Sequence, residues 1–255
     1  MILAIDVGNT NIVLGTIENG EIDRIVRIHT ALDETAAEYG IKFRQLLDDY
    51  EIDPHCFEGA IISSVVPPVT GAIREAVKRL TGVDCMVVGP GMKTGLNVRI
   101  DDPATLAADL VVGSVAAIAC YGAPAIVLDL GTATTMVVVD EKGSYRGGSI
   151  MPGIKLGLQA LSEGTSLLPD ISVTAPKKVI GTNTVDAMRS GAVYATASMI
   201  DGMIERMEEE LGYKCKVIAS GGFSRTVTAC CRKEIICDED LLLKGLWVLY
   251  QKNRK

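Results

Sequence analysis

Aromatic residues make up only 4% of this 255-residue chain, and a single tryptophan is among them. Valine, isoleucine, leucine and alanine must therefore fill the core, which 48% hydrophobic residues are enough to build. The length suits one large or two modest domains. Long basic runs are also absent, and the formal net charge is −7. A nucleic-acid partner is therefore not expected, because binding to a phosphate backbone needs a basic surface.

No uncharged apolar stretch approaches the roughly 20 residues that a membrane-spanning helix needs. The N-terminus, from Met1 to Asp6, has no positively charged region and meets a carboxylate at once, so it is predicted to be a strand and not a signal peptide. We expect a cytoplasmic protein with no membrane partner.

Paired cysteines are missing as well. The seven cysteines are an odd number, scattered along the chain without any C-x-x-C pair. This pattern excludes a disulfide framework. Cys230, Cys231 and Cys237 are close in sequence, but His29 and His55 are far from them, which disfavours a metal–thiolate site. Reduced, buried thiols are the expectation.

One motif occurs twice in the chain. Ile5-Asp6-Val7-Gly8-Asn9-Thr10 near the N-terminus is matched in mid-chain by Leu128-Asp129-Leu130-Gly131-Thr132-Ala133-Thr134-Thr135. Each copy places an apolar run before an aspartate, a glycine two residues after it and a hydroxyl residue just beyond. A second apolar run and a turn glycine, Gly20 or Gly143, follow. Such a repeat indicates two related halves, each opening with a hairpin.

The apolar runs and turn signals predict an α/β fold in which the second half repeats the first. A helix beginning at the Asp102-Pro103 capping signal and ending near Tyr121 bridges the halves. We place the halves at residues 1–115 and 116–255, with a hinge cleft. A second long helix is predicted from Thr184 to Leu211.

Both copies of the motif have the features of a phosphate site. A glycine after a strand lets a polyphosphate approach the backbone closely, and amides and hydroxyls supply donors. A carboxylate at the end of a strand can hold a metal ion or its water shell. Two such turns facing each other would form a phosphate clamp.

Asp109 is the most distinctive single residue. Leu106, Leu110, Gly113 and Ala117 recur at helical spacing and are predicted to face the interior, with Asp109 on nearly the same face as Leu106. A carboxylate there is either paired and structural or held for chemistry, and the sequence leaves both interpretations open.

Three further segments are candidates for ligand contact. Ser220-Gly221-Gly222 follows an apolar strand and is either an ordinary loop or a turn that approaches a nucleotide. Gly147–Gly153 is a glycine-rich passage from strand to helix that could wrap a small substrate. Thr182-Asn183-Thr184 caps the long helix, and substrate contact is an equally open interpretation.

Together these motifs resemble the sugar kinase/Hsp70/actin superfamily and, more closely, type III pantothenate kinase, the first enzyme of coenzyme A synthesis. The resemblance covers essentially the whole chain. Further ordered matches are Ser63–Pro67, Thr94–Asn97, Pro152-Gly153, Asn183-Thr184 with Ser190-Gly191, and Leu241–Leu246. The resemblance implies duplicated actin-like, ribonuclease H-like halves and a kinase that phosphorylates pantothenate with ATP and Mg²⁺.

The resemblance also implies roles for individual residues. The ATP-binding residues would be Asp6, Val7, Gly8, Asn9, Thr10, Asn11, Ile12, Val13 and Thr132, with Mg²⁺ held indirectly near Asp6. Asp129 would hold a monovalent cation, potassium or ammonium. Pantothenate would contact Ala107, Ala108, Asp109, Leu110 and Thr184, with Asp109 as the general base. A homodimer is expected, with the substrate pocket at its interface.

One departure from the family pattern leaves alternatives open. The family carries Gly-x-Asp-Arg where this chain has Ala107-Ala108-Asp109-Leu110, and a leucine cannot form the charged contact of an arginine. The competing hypotheses are a catalytically altered member that binds nucleotide as a regulatory protein and a kinase for a different small hydroxy acid. The missing Gly-x-x-x-x-Gly-Lys is no objection, because the superfamily does not use that loop.

Overall fold

The computed structural model describes residues 1–254, which form two compact units. The first unit comprises Met1–Leu96, Asp102–Ala119 and the chain from Leu241 onward. The second comprises Asn97–Asp101 and Cys120–Asp240. The halves inferred from the repeat, residues 1–115 and 116–255, stay a prediction. The two compact units are defined by which residues lie close in space, whereas the halves were defined by the repeated sequence motif.

The chain combines eleven strands with eight α-helices within residues 1–254. In chain order the strands are β1 (Ile2–Val7), β2 (Asn11–Glu18), β3 (Glu21–His29), β4 (Gly59–Ser64), β5 (Cys85–Val87), β6 (Asn97–Val98), β7 (Ala125–Leu130), β8 (Ala133–Val139), β9 (Ser144–Pro152), β10 (Lys216–Ser220) and β11 (Ile236–Cys237). The α-helices are α1 (Ala36–Asp49), α2 (Pro67–Thr81), α3 (Ala108–Tyr121), α4 (Ile154–Gly164), α5 (Thr184–Ser190), α6 (Thr196–Leu211), α7 (Ser224–Thr228) and α8 (Leu241–Asn253). Single 3₁₀ turns lie at Pro54–Cys56 and Pro103–Thr105, and a π-helical segment lies at Gly191–Ala195.

The two units share one sheet plan, which confirms the predicted duplicated α/β fold. The first sheet has the strand order β3-β2-β1-β4-β5, and the second has β11-β10-β7-β8-β9-β6. The central strand of each, β1 or β7, pairs antiparallel with the next strand in sequence. On its other edge it pairs parallel with β4 or β10.

Helices cover both faces of the first sheet. Side chains alternate along a strand, so Leu3, Ile5 and Val7 of β1 face one way and pack with Tyr39 and Phe43 of α1. Ile2 and Ala4 face the other way, toward α3 and α8, where Val112, Val115 and Leu246 cover them. Asp6 belongs to this second face, at the carboxyl end of β1.

In the second unit, apolar side chains of β7 and β8 pack against α4 and α6. The cluster includes Leu128, Met136, Leu158, Ile200 and Ile204, all buried. Within residues 1–254, no helix combines the length and the hydropathy needed to cross a membrane.

The duplicated turns differ in length, although the sequence spacing suggested that they match. In the first hairpin Val7 pairs with Ile12, whereas in the second Leu130 pairs with Thr134. The β1–β2 turn is therefore one residue longer than the β7–β8 turn.

Two predicted helices differ from the structure. Asp102 does not begin α3: its carboxylate accepts the N–H of Ala104 at 3.0 Å and caps a single 3₁₀ turn. Leu106 is extended, with φ −68° and ψ 119°, so α3 begins only at Ala108. The predicted helix from Thr184 to Leu211 is present, but it contains a π-helical segment at Gly191–Ala195.

The contact between α8 and α3 yields a stability prediction. A methyl group added at Gly245 would lie 2.4 Å from the carbonyl oxygen of Val112. Gly245→Ala is expected to lower the free energy of unfolding by about 1–3 kcal/mol, because the Val112 carbonyl belongs to the backbone of α3 and cannot move away from the added methyl group without distorting the helix. Gly71→Ala on α2 is the matched control, since no atom lies within 4 Å of the added group, and it should stabilise by up to about 1 kcal/mol. Urea unfolding of both variants tests this prediction, and equal effects would contradict it.

Candidate functional site

The turn between β1 and β2 is closed by hydrogen bonds that use its carbonyl groups. The N–H of Gly8 donates to the carbonyl of Asn11 at 3.0 Å. Thr30 ties the turn to the end of β3: its N–H donates to the Thr10 carbonyl at 3.0 Å, and its hydroxyl donates to the Gly8 carbonyl at 2.7 Å. These bonds occupy three carbonyl oxygens that would otherwise repel the oxygens of a phosphate.

The residues of the predicted ATP segment differ in exposure. Val7 and Ile12 are fully buried in the core, so only their backbone is available to a ligand. Asn9 and Asn11 are exposed, and Asp6, Gly8, Thr10 and Val13 are partly buried. The turn therefore offers backbone groups and amide side chains to a ligand.

Ser63 is the neighbour of Asp6 on β4, because the parallel register pairs these two residues. The Ser63 side chain is completely buried, with 0% exposure. Its hydroxyl has no hydrogen-bond partner among the described residues. Residues directly opposite on paired strands share a face, so both side chains belong to the face that α3 and α8 cover.

Asp109 lies in the first turn of α3 and is partly buried. Burial raises the pKa of its carboxyl above the ordinary value. The backbone N–H of Leu110, which donates to Oδ1 at 2.7 Å, opposes this shift but does not cancel it. A carboxylate that binds protons more readily is better suited to accept one from a substrate.

The residues around Asp109 are less buried than predicted. Leu106 and Leu110 are only partly buried, as are Ala107 and Ala108, and the buried part of α3 is residues 112–117. The prediction that Leu106, Leu110, Gly113 and Ala117 face the interior is confirmed for Gly113 and Ala117, which are buried, whereas Leu106 and Leu110 are only partly buried. Leu106 lies outside the helix because α3 begins only at Ala108.

In the second unit, Asp129 stands between two hydroxyl residues. The strand register pairs it with Thr135 on β8 and with Ser220 on β10. The Oγ1 atom of Thr135 is buried and has no hydrogen-bond partner within residues 1–254. The three side chains form a row of oxygen-bearing groups on one face.

The Ser220-Gly221-Gly222 turn closes on the end of β7. Gly221 has φ +95°, and a methyl group there would lie 2.5 Å from Oδ1 of Asp129. The site requires glycine for both reasons. The turn therefore touches the same carboxylate that the repeat singled out.

The β7–β8 turn is joined to the start of α4. The N–H of Gly153 donates to the Thr132 carbonyl at 3.1 Å. A methyl group at Gly153 would lie 2.3 Å from that oxygen and 2.4 Å from the oxygen of Gly131. Thr132 itself is exposed.

A cavity of about 770 Å³ opens beside this junction. It lies between α4 and α5, and its lining is mostly apolar or glycine, with Gly153, Leu158, Leu161, Met188 and Gly191 among its residues. This size and lining are typical of small-molecule sites. The π-helical segment supplies Gly191 and Ala192 to its wall.

Thr184 also lines this cavity, together with Thr182 and Asn183. The side chain of Asn183 accepts the N–H of Asp186 at 2.9 Å, so the predicted cap is present. Gly181 packs against α5, where an added methyl group would lie 2.3 Å from the Ala187 nitrogen. Asn183 can therefore cap α5 while the same segment lines the cavity, so the two interpretations of residues 182–184 are compatible.

The thiols only partly match the prediction. All seven are free, but Cys56, Cys120 and Cys237 are exposed, so the expectation of buried thiols was wrong for these three. In the part of the chain that the structure describes, no group of three or more His, Cys, Asp or Glu side chains is placed to hold a metal.

The structure distributes the predicted residues over the two units. The first unit holds residues 6–13 and 107–110, and the second holds Asp129, Thr132 and Thr184. Sequence reasoning assigned no role to Ser63 or Thr135, because only strand register reveals that they flank Asp6 and Asp129.

Comparison with known proteins gives consistent results. The sequence model of the type III pantothenate kinase family matches residues 2–206. A type III pantothenate kinase of Halalkalibacterium halodurans is 43% identical over 253 residues, covering 99% of this chain and all of that protein.

Solved structures show the same fold at low sequence identity. Component A of the (R)-2-hydroxyglutaryl-CoA dehydratase of Acidaminococcus fermentans has a TM-score of 0.56 at 14% identity, covering 98% of this chain and 96% of that one. The inorganic polyphosphate/ATP-glucomannokinase of Arthrobacter sp. strain KM has a TM-score of 0.52 at 14% identity, covering 97% and 96%.

The buried carboxyl of Asp109 predicts a pH-dependent stability. Because its folded pKa is raised, the unfolded chain releases this proton at a lower pH than the folded protein does. Asp109 therefore costs no stability below the ordinary pKa of about 4, and an increasing amount as the pH rises toward the folded value. Asp109→Asn should raise the Tm at pH 7, and the gain should shrink as the pH falls toward 4.5.

Thermal unfolding at several pH values measures this effect. Asp170→Asn, at an exposed position in the second unit, is the matched control and should leave the Tm unchanged. A gain from Asp109→Asn that is the same at every pH would contradict burial as its cause.

Proposed function

The chain belongs to the type III pantothenate kinase family, and from this membership we infer that it transfers the γ-phosphoryl group of ATP to the primary hydroxyl of pantothenate. The product is 4′-phosphopantothenate, and the step is the first of coenzyme A biosynthesis. The observation that carries this conclusion is 43% identity over 99% of the chain to a type III pantothenate kinase.

We propose that the β1–β2 turn binds the phosphates of ATP through residues 6–13. Its carbonyls are engaged within the protein, and Gly8 leaves room for close approach. Thr132 is proposed as a further ATP contact from the exposed part of the second turn. Asp6, at the end of β1, would hold Mg²⁺ indirectly through water. When bound, that ion would neutralise part of the negative charge of the phosphates.

A monovalent cation is proposed at Asp129. Potassium and ammonium are bound by oxygen atoms, and the row of Thr135, Asp129 and Ser220 presents two hydroxyls beside a carboxylate. The buried Thr135 oxygen without a partner fits such a site, because a polar atom in that state gains from a ligand.

We propose Asp109 as the general base. The hydroxyl of pantothenate is a weak nucleophile, so Asp109 would orient it and accept its proton while the oxygen bonds to the γ-phosphorus. The bond from that phosphorus to the oxygen bridging to the β-phosphate breaks, and ADP leaves with the electron pair. The raised pKa of Asp109 supports this role.

Pantothenate is proposed to contact residues 107–110 and Thr184. Ala107 and Ala108 are small, and Leu110 presents an apolar side chain where the family has an arginine. Thr184 supports the assignment because it lines the cavity of about 770 Å³ in the second unit.

A cytoplasmic homodimer is also proposed. Six large apolar residues between positions 150 and 180 are exposed, namely Ile150, Leu156, Leu161, Leu167, Val179 and Ile180. A contiguous exposed apolar patch is typical of protein–protein interfaces, and we propose that these residues contribute to one.

Replacement of Asp109 tests the catalytic proposal. Asp109→Asn should lower turnover of pantothenate by about 10²–10⁴-fold, because the amide cannot accept the proton. The affinity for ATP should change little. Formation of 4′-phosphopantothenate is measured with Mg²⁺, with potassium or ammonium present and then withheld, and withholding the cation should reduce it strongly.

The matched control for turnover is again Asp170→Asn, which should behave as the parent protein does. Unchanged turnover of Asp109→Asn would overturn the general-base role. ATP binding without any product from the parent protein would instead favour a different acceptor.

The proposed dimer has its own test. Leu167 is 90% exposed and Ile180 is 81% exposed, so Leu167→Asp and Ile180→Asp should not disturb the core. Each should shift the protein toward monomer in sedimentation velocity, because a buried unpaired charge is costly. Leu32→Asp, at an exposed position in the first unit, is the control and should leave the dimer intact. A monomeric parent protein would contradict the proposal.

A further inference from the structure

Ser63 is a buried hydroxyl that the fold does not explain. It stands at 0% exposure on a sheet face covered by α3 and α8, among apolar neighbours such as Ile61, and its oxygen has no partner within residues 1–254. A hydroxyl buried without a hydrogen bond destabilises a protein, and alanine would fill the same position without that cost. An unsatisfied group of this kind therefore requires an explanation.

The adjacent Ser64 shows what a structural serine does in this strand. Its oxygen accepts the N–H of Val66 at 3.1 Å and the hydroxyl of Thr70 at 2.8 Å, so it fixes the passage from β4 to α2. Ser64 points to the opposite face from Ser63, because side chains alternate along the strand. The two hydroxyls therefore differ in role, although they are neighbours in sequence.

The register places Ser63 beside Asp6. These residues are partners on the parallel strands β1 and β4, which lie about 4.8 Å apart. At that separation a serine hydroxyl can reach a neighbouring carboxylate by a change of side-chain rotamer. Both residues lie near the carboxyl ends of their strands, where the phosphate turn begins.

The second unit repeats this pair. Asp129 of β7 is the register partner of Ser220 on the parallel strand β10, and Ser220 is only 3% exposed. β10 occupies the same place beside β7 that β4 occupies beside β1. The duplication has therefore produced an aspartate and a buried serine on neighbouring parallel strands in both units.

We propose that Ser63 is a positioning residue, whose hydroxyl donates a hydrogen bond to the Asp6 carboxylate when Mg·ATP is bound. The bond fixes one carboxylate oxygen so that the other meets the water shell of the ion. Ser63 touches neither nucleotide nor metal and acts only through Asp6. The inference rests on the proposed kinase function for the identity of its ligand.

The first test is Ser63→Ala. A hydrogen bond to a charged acceptor is strong enough that its loss should raise the half-saturating Mg²⁺ concentration about tenfold. ATP binding in the presence of EDTA should not change. The Tm of the ligand-free protein should rise by about 2–4 °C, because the unsatisfied hydroxyl is gone.

Two further variants separate positioning from packing. Ser63→Thr keeps the hydroxyl but adds a methyl group to a filled site, so it should lower the Tm and keep the Mg²⁺ dependence of the parent protein. Ser64→Ala is the matched control: it should also lower the Tm, through loss of the bonds to Val66 and Thr70, with the Mg²⁺ dependence unchanged.

Calorimetric titration of ATP at several Mg²⁺ concentrations is the measurement, and it needs no pantothenate. A Ser63→Ala protein with higher Tm and unchanged Mg²⁺ dependence would overturn the inference, since Ser63 would then only fill space. If the parent protein binds Mg·ATP but forms no phosphopantothenate, the proposed function fails and the role of Ser63 is still decided by the titration.

Discussion

Close contact between backbone segments at glycine residues is the constraint on which the second unit depends. Methyl groups at Gly153, Gly181 and Gly221 would lie within 2.5 Å of other atoms of the unit. These contacts attach the strand–helix junction to the Thr132 turn, the capping segment to α5, and the Ser220–Gly222 turn to Asp129. Because these segments are already held in place, their hydrogen-bond donors lose little conformational entropy when a ligand binds.

In the first unit, burial determines the protonation behaviour of Asp109. The pKa of Asp109 is raised by burial, and within residues 1–254 no cationic side chain contributes to the shift. An arginine at position 110 would stabilise the charged carboxylate and lower this pKa. Leu110 thus leaves Asp109 a stronger base, while the protein carries the stability cost of a buried carboxyl. The leucine at position 110 is in this respect compatible with the proposed role of Asp109 as general base.

The sequence predicted the fold and the two turns because these depend on local patterns. The strands that hold Asp6 and Asp129 follow from short continuous apolar runs, and the cap at Asn183 follows from capping chemistry; neighbouring residues determine both. The break before Ala108 was missed because Asp102-Pro103 caps a 3₁₀ turn as well as an α-helix. Ser63 and Thr135 were missed because a partner across strands has no fixed distance in sequence.

The π-helical segment at Gly191–Ala195 sets the rotational phase between α5 and α6. A residue in an α-helix advances the helix by about 100°, and a π-helical turn holds roughly one residue more than an α-helical turn. Removal of one residue there would let a regular helix continue with its hydrogen bonds intact. Because one α-helical turn would then replace one π-helical turn, α5 and α6 would keep nearly the same relative rotation. A regular α-helix running through all five residues of Gly191–Ala195 would instead rotate α5 by about a quarter turn relative to α6 and carry Thr184 off the cavity wall. The segment therefore takes up one extra residue, so that a helix packed in the core continues into a helix end that lines the cavity.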